Sequence, residues 1–165
     1  MNKKSPWIRW ISWSLVVMWM GVIFLFSAQV AKDSNALSTS VTEVVIDQME
    51  KVLPQQAEIS TQTMNHLLRK NAHFLIYLLL GGLLFNAWRR SGKEILKSFV
   101  LALLMGFIYA ITDEVHQLFV PGRGAQVQDV LIDTMGVATG TILGTCIEKG
   151  RLLFTRREII RRKNE

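Results

Sequence analysis

Four apolar segments of near-membrane length constrain this chain more than any other feature of its sequence. The hydrocarbon core of a bilayer is crossed by ~20 apolar residues of α-helix, and within it a helix pairs its own backbone N–H and C=O groups. We therefore predict an all-α, polytopic membrane protein in which residues 1–165 form one domain. The four predicted transmembrane helices are residues 10–28, 71–88, 98–112 and 130–147, followed by a basic tail at 148–165.

The first span lies close to Met1, where a cleaved signal peptide would also lie. Its apolar run is longer than the usual ~7–15 residues, and no small-x-small cleavage pattern follows at a suitable point. We predict that it is retained as a helix. Between the first two spans, residues 40–43 (Ser-Val-Thr-Glu) have the form of a capping box, and apolar residues at helical spacing then predict a short amphipathic helix that Pro54 ends.

Lys and Arg residues are distributed unevenly about the spans. Of the 19 in the chain, three precede the first span, four lie at 89–97 and seven lie in the tail, so fourteen share one side of the membrane. By the positive-inside rule that side is the cytoplasm, which places both termini there and residues 113–129 outside it. Because the basic residues bracket the spans, the net charge of +6 does not indicate nucleic acid. The apolar residues among the tail's arginines predict that it lies on the anionic inner leaflet.

Polar residues recur at helical spacing at one end of three spans. Residues three, four or seven apart share a helix face. The three stripes are Lys70, His73 and Tyr77; Tyr109, Asp113 and His116; and Asp129, Asp133, Gly136 and Gly140. Because a charge that faced lipid would cost about 2–3 kcal/mol, we predict that the stripes face one another and form a polar cavity in the outer half of the bundle. The glycines of the fourth span, with Gly81 and Gly82, are predicted to allow close backbone approach.

Each of these residues also has a simpler use. Arg69 and Lys70 could anchor a helix at the interface, the tyrosines could belong to an aromatic belt, and Asp129 could cap the fourth span. His73 could be a satisfied core histidine, and the 113–116 stretch a solvated helix end. The single cysteine, Cys146, lies in an apolar run and is predicted to be a small core residue.

The cluster contains the residue types that general acid–base catalysis and anion binding use. Carboxylates beside histidines can transfer protons, and Arg123, in a turn of composition Pro-Gly-Arg-Gly, is suited to a two-pronged grip on phosphate or carboxylate. The candidate catalytic residues are His73, Asp113, Glu114 and His116. The acids and histidines could also bind a divalent metal, although no zinc-ligand spacing occurs, so the sequence assigns no metal site and leaves the cofactor open. No Walker loop, dinucleotide fingerprint or nucleic-acid module occurs, so no nucleic-acid partner is predicted.

Three motifs carry a resemblance to a known family. They are Phe26-Ser27-Ala28-Gln29; Lys70-Asn71-x-His73-Phe74-x-x-Tyr77; and Asp113-Glu114-x-His116-Gln117-x-Phe119-x-Pro121-Gly122-Arg123, followed by Asp129, Gly136 and Gly140. On these motifs nearly the whole chain resembles the VanZ-like family of small bacterial membrane proteins. It departs at Asp133, where the family usually has asparagine. The ligand-binding candidates are Lys70, Tyr77, Gln117, Arg123, Asp129, Ser27 and Gln29.

The resemblance implies a role in lowering susceptibility to teicoplanin, a lipidated glycopeptide, or a wider role in the cell envelope. Three hypotheses describe the predicted cavity. It binds and modifies a lipid-linked or phosphate-bearing envelope molecule, with His73 and His116 as acid and base and with Arg123 and Lys70 as anion clamps. It binds such a ligand or a partner protein without turnover. Or its charges only stabilise the bundle through buried ion pairs. The lipid bilayer is the one partner common to all three, and the oligomeric state is open.

Overall fold

Four α-helices make up the part of the protein that the computed structural model describes, residues 6–28 and 61–163. They are α1 (Pro6–Ser27), α2 (Thr61–Arg90), α3 (Ile95–Gln117) and α4 (Val127–Lys163). Each contains a stretch long and apolar enough to cross a membrane. The predicted all-α class and the four predicted spans are therefore confirmed. The amphipathic helix predicted after residue 40 lies outside the described residues.

The helices extend beyond the apolar segments that predicted them. α3 continues through Gln117, which brings Tyr109, Asp113 and His116 onto one helical face. α4 has 37 residues and is therefore ~55 Å long at 1.5 Å per residue, nearly twice the ~30 Å of a hydrocarbon core. The basic tail is thus helical through Lys163 and continuous with the fourth span. Its location on a membrane surface stays a prediction.

The start of α1 packs beside the short turn between α2 and α3. The Trp13 indole donates to the Ser91 hydroxyl at 3.0 Å and meets the Trp88 ring edge-on, with 5.0 Å between centroids. At the same end, Arg89 of α2 forms an ion pair with Glu148 of α4 at 2.8 Å. We call this the turn end of the bundle. The opposite end, where residues 118–126 join α3 to α4, is the loop end.

Glycines allow α2 and α4 to pack backbone against backbone. A Cβ on Gly136 would fall on the Phe74 carbonyl oxygen, and one on Gly140 would fall on the Leu78 carbonyl. A Cβ on Gly81 would likewise meet the backbone of Val137. The predicted close approach is therefore confirmed for this helix pair, and it brings the polar stripes of α2 and α4 together.

The exterior of the bundle is rich in large apolar side chains, as expected of a surface in contact with lipid. Leu96 is 72% exposed and Val17 is 66% exposed, and such extensive apolar exposure is rare on a soluble monomer. Cys146 also lies on this surface. Its predicted core location was wrong, because an apolar residue on a membrane helix can face lipid as readily as protein.

Candidate functional site

The loop end is built on a tight turn. Gly122 has a φ of +78°, a conformation that glycine adopts without a Cβ penalty. Pro121 precedes it, and the Arg123 N–H donates to the Val120 carbonyl at 3.1 Å, as in a type II β-turn. The turn folds the chain back over the ends of α3 and α4. As a result, Arg123 is directed toward the polar stripes of the helices.

The three polar stripes meet at this end. His73 of α2 places Nδ1 3.4 Å from Oδ1 of Asp133 on α4. Asp113 of α3 lies near the side chains of Tyr77 and His73, and the Tyr77 and Tyr109 rings have centroids 6.2 Å apart. Helical spacing therefore placed residues from three helices in one region, as the sequence predicted.

Four carboxylates are buried in this region, and we call them the acid cluster. Their exposed fractions are 4% for Asp113, 3% for Glu114, 8% for Asp129 and 0% for Asp133. No hydrogen bond of normal geometry reaches the carboxylate oxygens of Asp113 or Asp133 within the described residues, although the hydroxyls of Ser27 and Tyr77 lie near Asp113 and His73 lies near Asp133. An unsatisfied buried polar group costs about 1–3 kcal/mol, and a charged one costs more. Burial of Asp113 and Asp133 therefore lowers the stability of the fold, which indicates that these residues serve a function.

Glu114 makes a structural contact with the loop. Its Oε2 accepts the backbone N–H of Gln126 at 2.8 Å, immediately before α4 begins. The carboxylate thus holds the end of the loop against α3. Asp129 lies within the first turn of α4, so it does not precede the helix as a capping residue would. A negative charge at this position still interacts favourably with the helix dipole.

A cavity of about 150 Å³ lies beside the acid cluster. We call it the loop-end cavity. Its described walls are Arg69, His73, Gln117, Gly122, Arg123, Gly124, Gln126 and Asp129. Two guanidinium groups, an imidazole and two amides provide donors for an anion, and Asp129 provides one opposing charge. Ligand sites for drug-sized molecules usually have volumes of ~300–1,000 Å³, so this cavity suits a small charged group.

Arg123 links the loop to α1 as well as to the cavity. Its Nη1 donates to the Ser27 carbonyl at 3.3 Å. Burial lowers the pKa of the Arg123 guanidinium from its ordinary value, and the positive charge of Arg69 lowers it further, whereas nearby carboxylates raise it. An arginine keeps its proton in proteins despite such shifts. The cavity therefore keeps a fixed positive charge on its loop wall.

Other predicted site residues do not line the cavity. Lys70 is not among the cavity walls and instead donates to the Gln128 side chain at 3.2 Å on the surface. The His116 ring packs on Phe24, with centroids 4.4 Å apart, and its Nε2 is buried without a partner among the described residues. Tyr77 is 1% exposed and lies near Asp113.

Ser27 and Gln29 are the two candidates from the first motif. The Ser27 hydroxyl is buried without a hydrogen-bond partner among the described residues, and Asp113 lies nearby. Gln29 lies outside the described residues. The first motif therefore reaches the acid cluster through Ser27, at the point where α1 ends.

Sequence reasoning did not select three residues that the geometry places here. Arg69 was considered only as an interface anchor, yet it lines the cavity, and Gln126 also lines it. Asp133 was omitted from the candidates although it is completely buried beside His73. Its place in the predicted stripe of α4 was the signal for it. Within residues 6–28 and 61–163, no three His, Cys, Asp or Glu side chains have an arrangement that could hold a metal ion.

Comparison with known proteins gives a match to a protein family. The family model described as VanZ/LLP1 matches residues 12–148, a range that contains α2 and α3, most of α1, the first part of α4 and every described wall of the loop-end cavity. No curated protein and no solved structure matches the chain.

Proposed function

The chain belongs to the VanZ/LLP1 family, and from this premise we propose that it is a multi-pass cell-envelope protein whose loop-end cavity binds the phosphate-bearing head of a lipid-linked molecule. The observation that carries the proposal is the pair of arginines, Arg69 and Arg123, that line a small cavity at the end of a membrane bundle. Guanidinium groups bind phosphate oxygens through paired, charge-assisted hydrogen bonds. A lipid tail would extend from such a head into the bilayer beside the bundle.

The volume and the charge of the cavity support a small anionic head over a whole antibiotic. At about 150 Å³ the cavity lies below the usual range for drug-sized ligands, and a glycopeptide is larger still. Asp129 in the wall disfavours a free polyanion and favours a ligand that also carries a hydroxyl or amide donor. These features support an action on the envelope rather than sequestration of the drug.

Direct binding tests the proposal. The full-length protein in nanodiscs would be titrated with farnesyl phosphate and, separately, with farnesol, which has the same chain without the phosphate. We expect farnesyl phosphate to bind at least ~10-fold more tightly, a difference of about 1.4 kcal/mol, and Arg69→Gln to remove the difference. Arg157→Gln, on the exposed tail helix, is the matched control and should bind as the original protein does. Equal affinity for the two probes would contradict the proposal.

A second candidate function, acid–base chemistry on the bound head, is favoured by the contact between His73 and Asp133. A carboxylate at Nδ1 favours the tautomer whose Nε2 accepts a proton, as in other His–Asp pairs. Asp113 lies beside this pair and beside His116, so a second proton-transfer group is close. This arrangement supports a membrane enzyme that transfers a proton to or from a lipid-linked or cell-wall precursor.

A turnover experiment distinguishes the binding protein from the enzyme. Polar lipids from a Gram-positive envelope would be incubated with the protein and compared by mass spectrometry with an incubation of Asp113→Asn. A product that forms only with the original protein would establish an enzyme. Binding of farnesyl phosphate without any product would leave a binding protein.

A role in the response to teicoplanin follows from the proposal as its cellular consequence. A sensitive Gram-positive host producing this protein would be tested against teicoplanin and against non-lipidated vancomycin. We expect selective protection from teicoplanin, lost in Asp113→Asn and His116→Ala at matched abundance. If both variants protected as well as the original protein, any resistance would be independent of Asp113 and His116.

A further inference from the structure

A second concavity lies at the other end of the bundle, between α2 and α4. This turn-end groove has a volume of about 660 Å³, within the usual ~300–1,000 Å³ of ligand sites. Along α2 its walls extend from Leu78 to Arg90, which is ~18 Å at 1.5 Å per residue. One leaflet of a hydrocarbon core is ~15 Å deep, half of ~30 Å. The groove therefore has the length of an acyl chain lying along one leaflet.

Glycines form the floor of the groove and keep it open. Gly82, Gly140 and Gly144 line it, and none of the three contributes a side chain that would occupy its space. The three positions differ in what a larger residue would meet. A Cβ on Gly144 would press on the Phe85 ring at 2.7 Å, whereas a Cβ on Gly82 would have only an ordinary contact of 3.8 Å with the Gly140 carbonyl oxygen. Gly82 is therefore the position at which the groove can be filled with little strain on the helices.

The walls are apolar along the span and positively charged at the mouth. The apolar part includes Leu143 and Ile147, which are 49% and 65% exposed. The mouth contains three arginines and one acid, namely Arg89, Arg90, Arg151 and Glu148. Glu148 forms its close ion pair with Arg89 at 2.8 Å and lies 3.9 Å from Arg151. Among the described residues that line the mouth, one acid against three arginines leaves a net positive charge.

We infer that the turn-end groove binds a phospholipid with an anionic head group. One acyl chain lies over the glycine floor, and the phosphate lies between Arg90 and Arg151. An apolar wall one leaflet deep that ends in a cluster of arginines is complementary to such a lipid in both length and charge. A transmembrane helix of a partner would fill the apolar part but would leave the net charge of the mouth uncompensated. The site lies at the end of the bundle opposite to the loop-end cavity, so it does not depend on the proposed function.

Lipid retention measures this binding on the full chain. The protein would be reconstituted in nanodiscs of equal phosphatidylglycerol and phosphatidylcholine and released for native mass spectrometry. We expect retention of one phosphatidylglycerol per chain, favoured at least ~10-fold over phosphatidylcholine. The double variant Arg90→Gln/Arg151→Gln should lose this preference. The matched double variant Arg157→Gln/Arg162→Gln removes the same charge outside the groove and should keep it.

A second pair of variants tests the apolar part. Gly82→Leu fills the floor and should abolish retention of both lipids, whereas Gly21→Leu, on α1 where a Cβ meets nothing within 4 Å, should leave retention unchanged. If both arginine double variants lost the preference for phosphatidylglycerol equally, the inference would be overturned. The basic tail as a whole, and not the groove, would then attract the anionic lipid. Absence of any preference in the original protein would also overturn it. Should Gly82→Leu fail to fold, the two arginine variants still decide the outcome.

Discussion

At the scale of single residues, Asp113 is a costly feature of the site. Both of its carboxylate oxygens are buried, and neither accepts a hydrogen bond of normal geometry from the described residues. We expect Asp113→Asn to increase the free energy of unfolding by ~0.5–2 kcal/mol while removing function, as at other sites where activity is maintained at the expense of stability. Equilibrium unfolding in mixed micelles measures this change.

A control on the surface makes the Asp113 prediction specific. Glu94 has a side chain that is 78% exposed, so Glu94→Gln should change stability by less than ~0.5 kcal/mol. A large loss of stability in Asp113→Asn would contradict the prediction. It would instead support the hypothesis that the acids serve only to stabilise the bundle.

His73 and Asp133 are expected to behave as a coupled pair. His73→Ala leaves the completely buried Asp133 without the imidazole that lies 3.4 Å from it, and an uncompensated buried carboxylate should cost about 3–5 kcal/mol. The double variant His73→Ala/Asp133→Asn should lose less than the sum of the two single variants, by ~0.5–3 kcal/mol. Additive losses in this double-mutant cycle would show that the 3.4 Å contact contributes no coupling.

The residue scale also shows why the site was only partly predictable. Helical spacing is a local property, so Lys70, His73 and Tyr77 could be assigned to one face from sequence alone. Whether Arg69 or Lys70 lines the cavity depends on the rotation of α2 against α4, which glycine contacts far along the helix determine. Gln126 reaches the cavity only because the turn at Gly122 folds the loop back. Neither relationship is present in local sequence spacing.

At the scale of helices, the glycine contacts between α2 and α4 set the position of every polar stripe. A Cβ on Gly140 would overlap the Leu78 carbonyl, and backbone atoms cannot move aside independently of their helix. Gly140→Ala should therefore separate the two helices and cost ~1–3 kcal/mol. Gly150→Ala, in the same helix but with nothing within 4 Å, should instead gain ~0.4–1 kcal/mol. Unfolding in mixed micelles compares the two, and equal effects would contradict the close-packing argument.

Helix ends were harder to predict than helix positions. The fourth span was predicted to end at Ile147 because the composition changes there from apolar to basic. α4 nevertheless continues to Lys163, since no proline follows Pro121 and Arg, Lys, Leu and Glu all favour helix. A change in polarity marks where a helix leaves the hydrocarbon, whereas a helix ends where its backbone pattern is broken.

At the scale of the whole molecule, the fold shows which helix ends lie on the same side of the membrane. α1 begins beside the turn that joins α2 to α3, as the bond between Trp13 and Ser91 shows, and the pair of Arg89 and Glu148 brings α4 to the same end. This end contains most of the chain's 19 Lys and Arg residues. The positive-inside rule then predicts that the turn end is cytoplasmic and that the loop-end cavity opens on the other side.

Single-cysteine labelling tests that orientation. In a Cys146→Ser background, cysteine would replace the exposed Lys93 at the turn end or the exposed Ala125 at the loop end. A membrane-impermeant maleimide should label Ala125→Cys in intact cells and Lys93→Cys only after permeabilisation. The reverse pattern would place Arg69, Arg123 and the acid cluster on the cytoplasmic side. An envelope ligand could then reach the cavity only by first crossing the membrane, so the orientation decides whether the proposed function is possible in its present form.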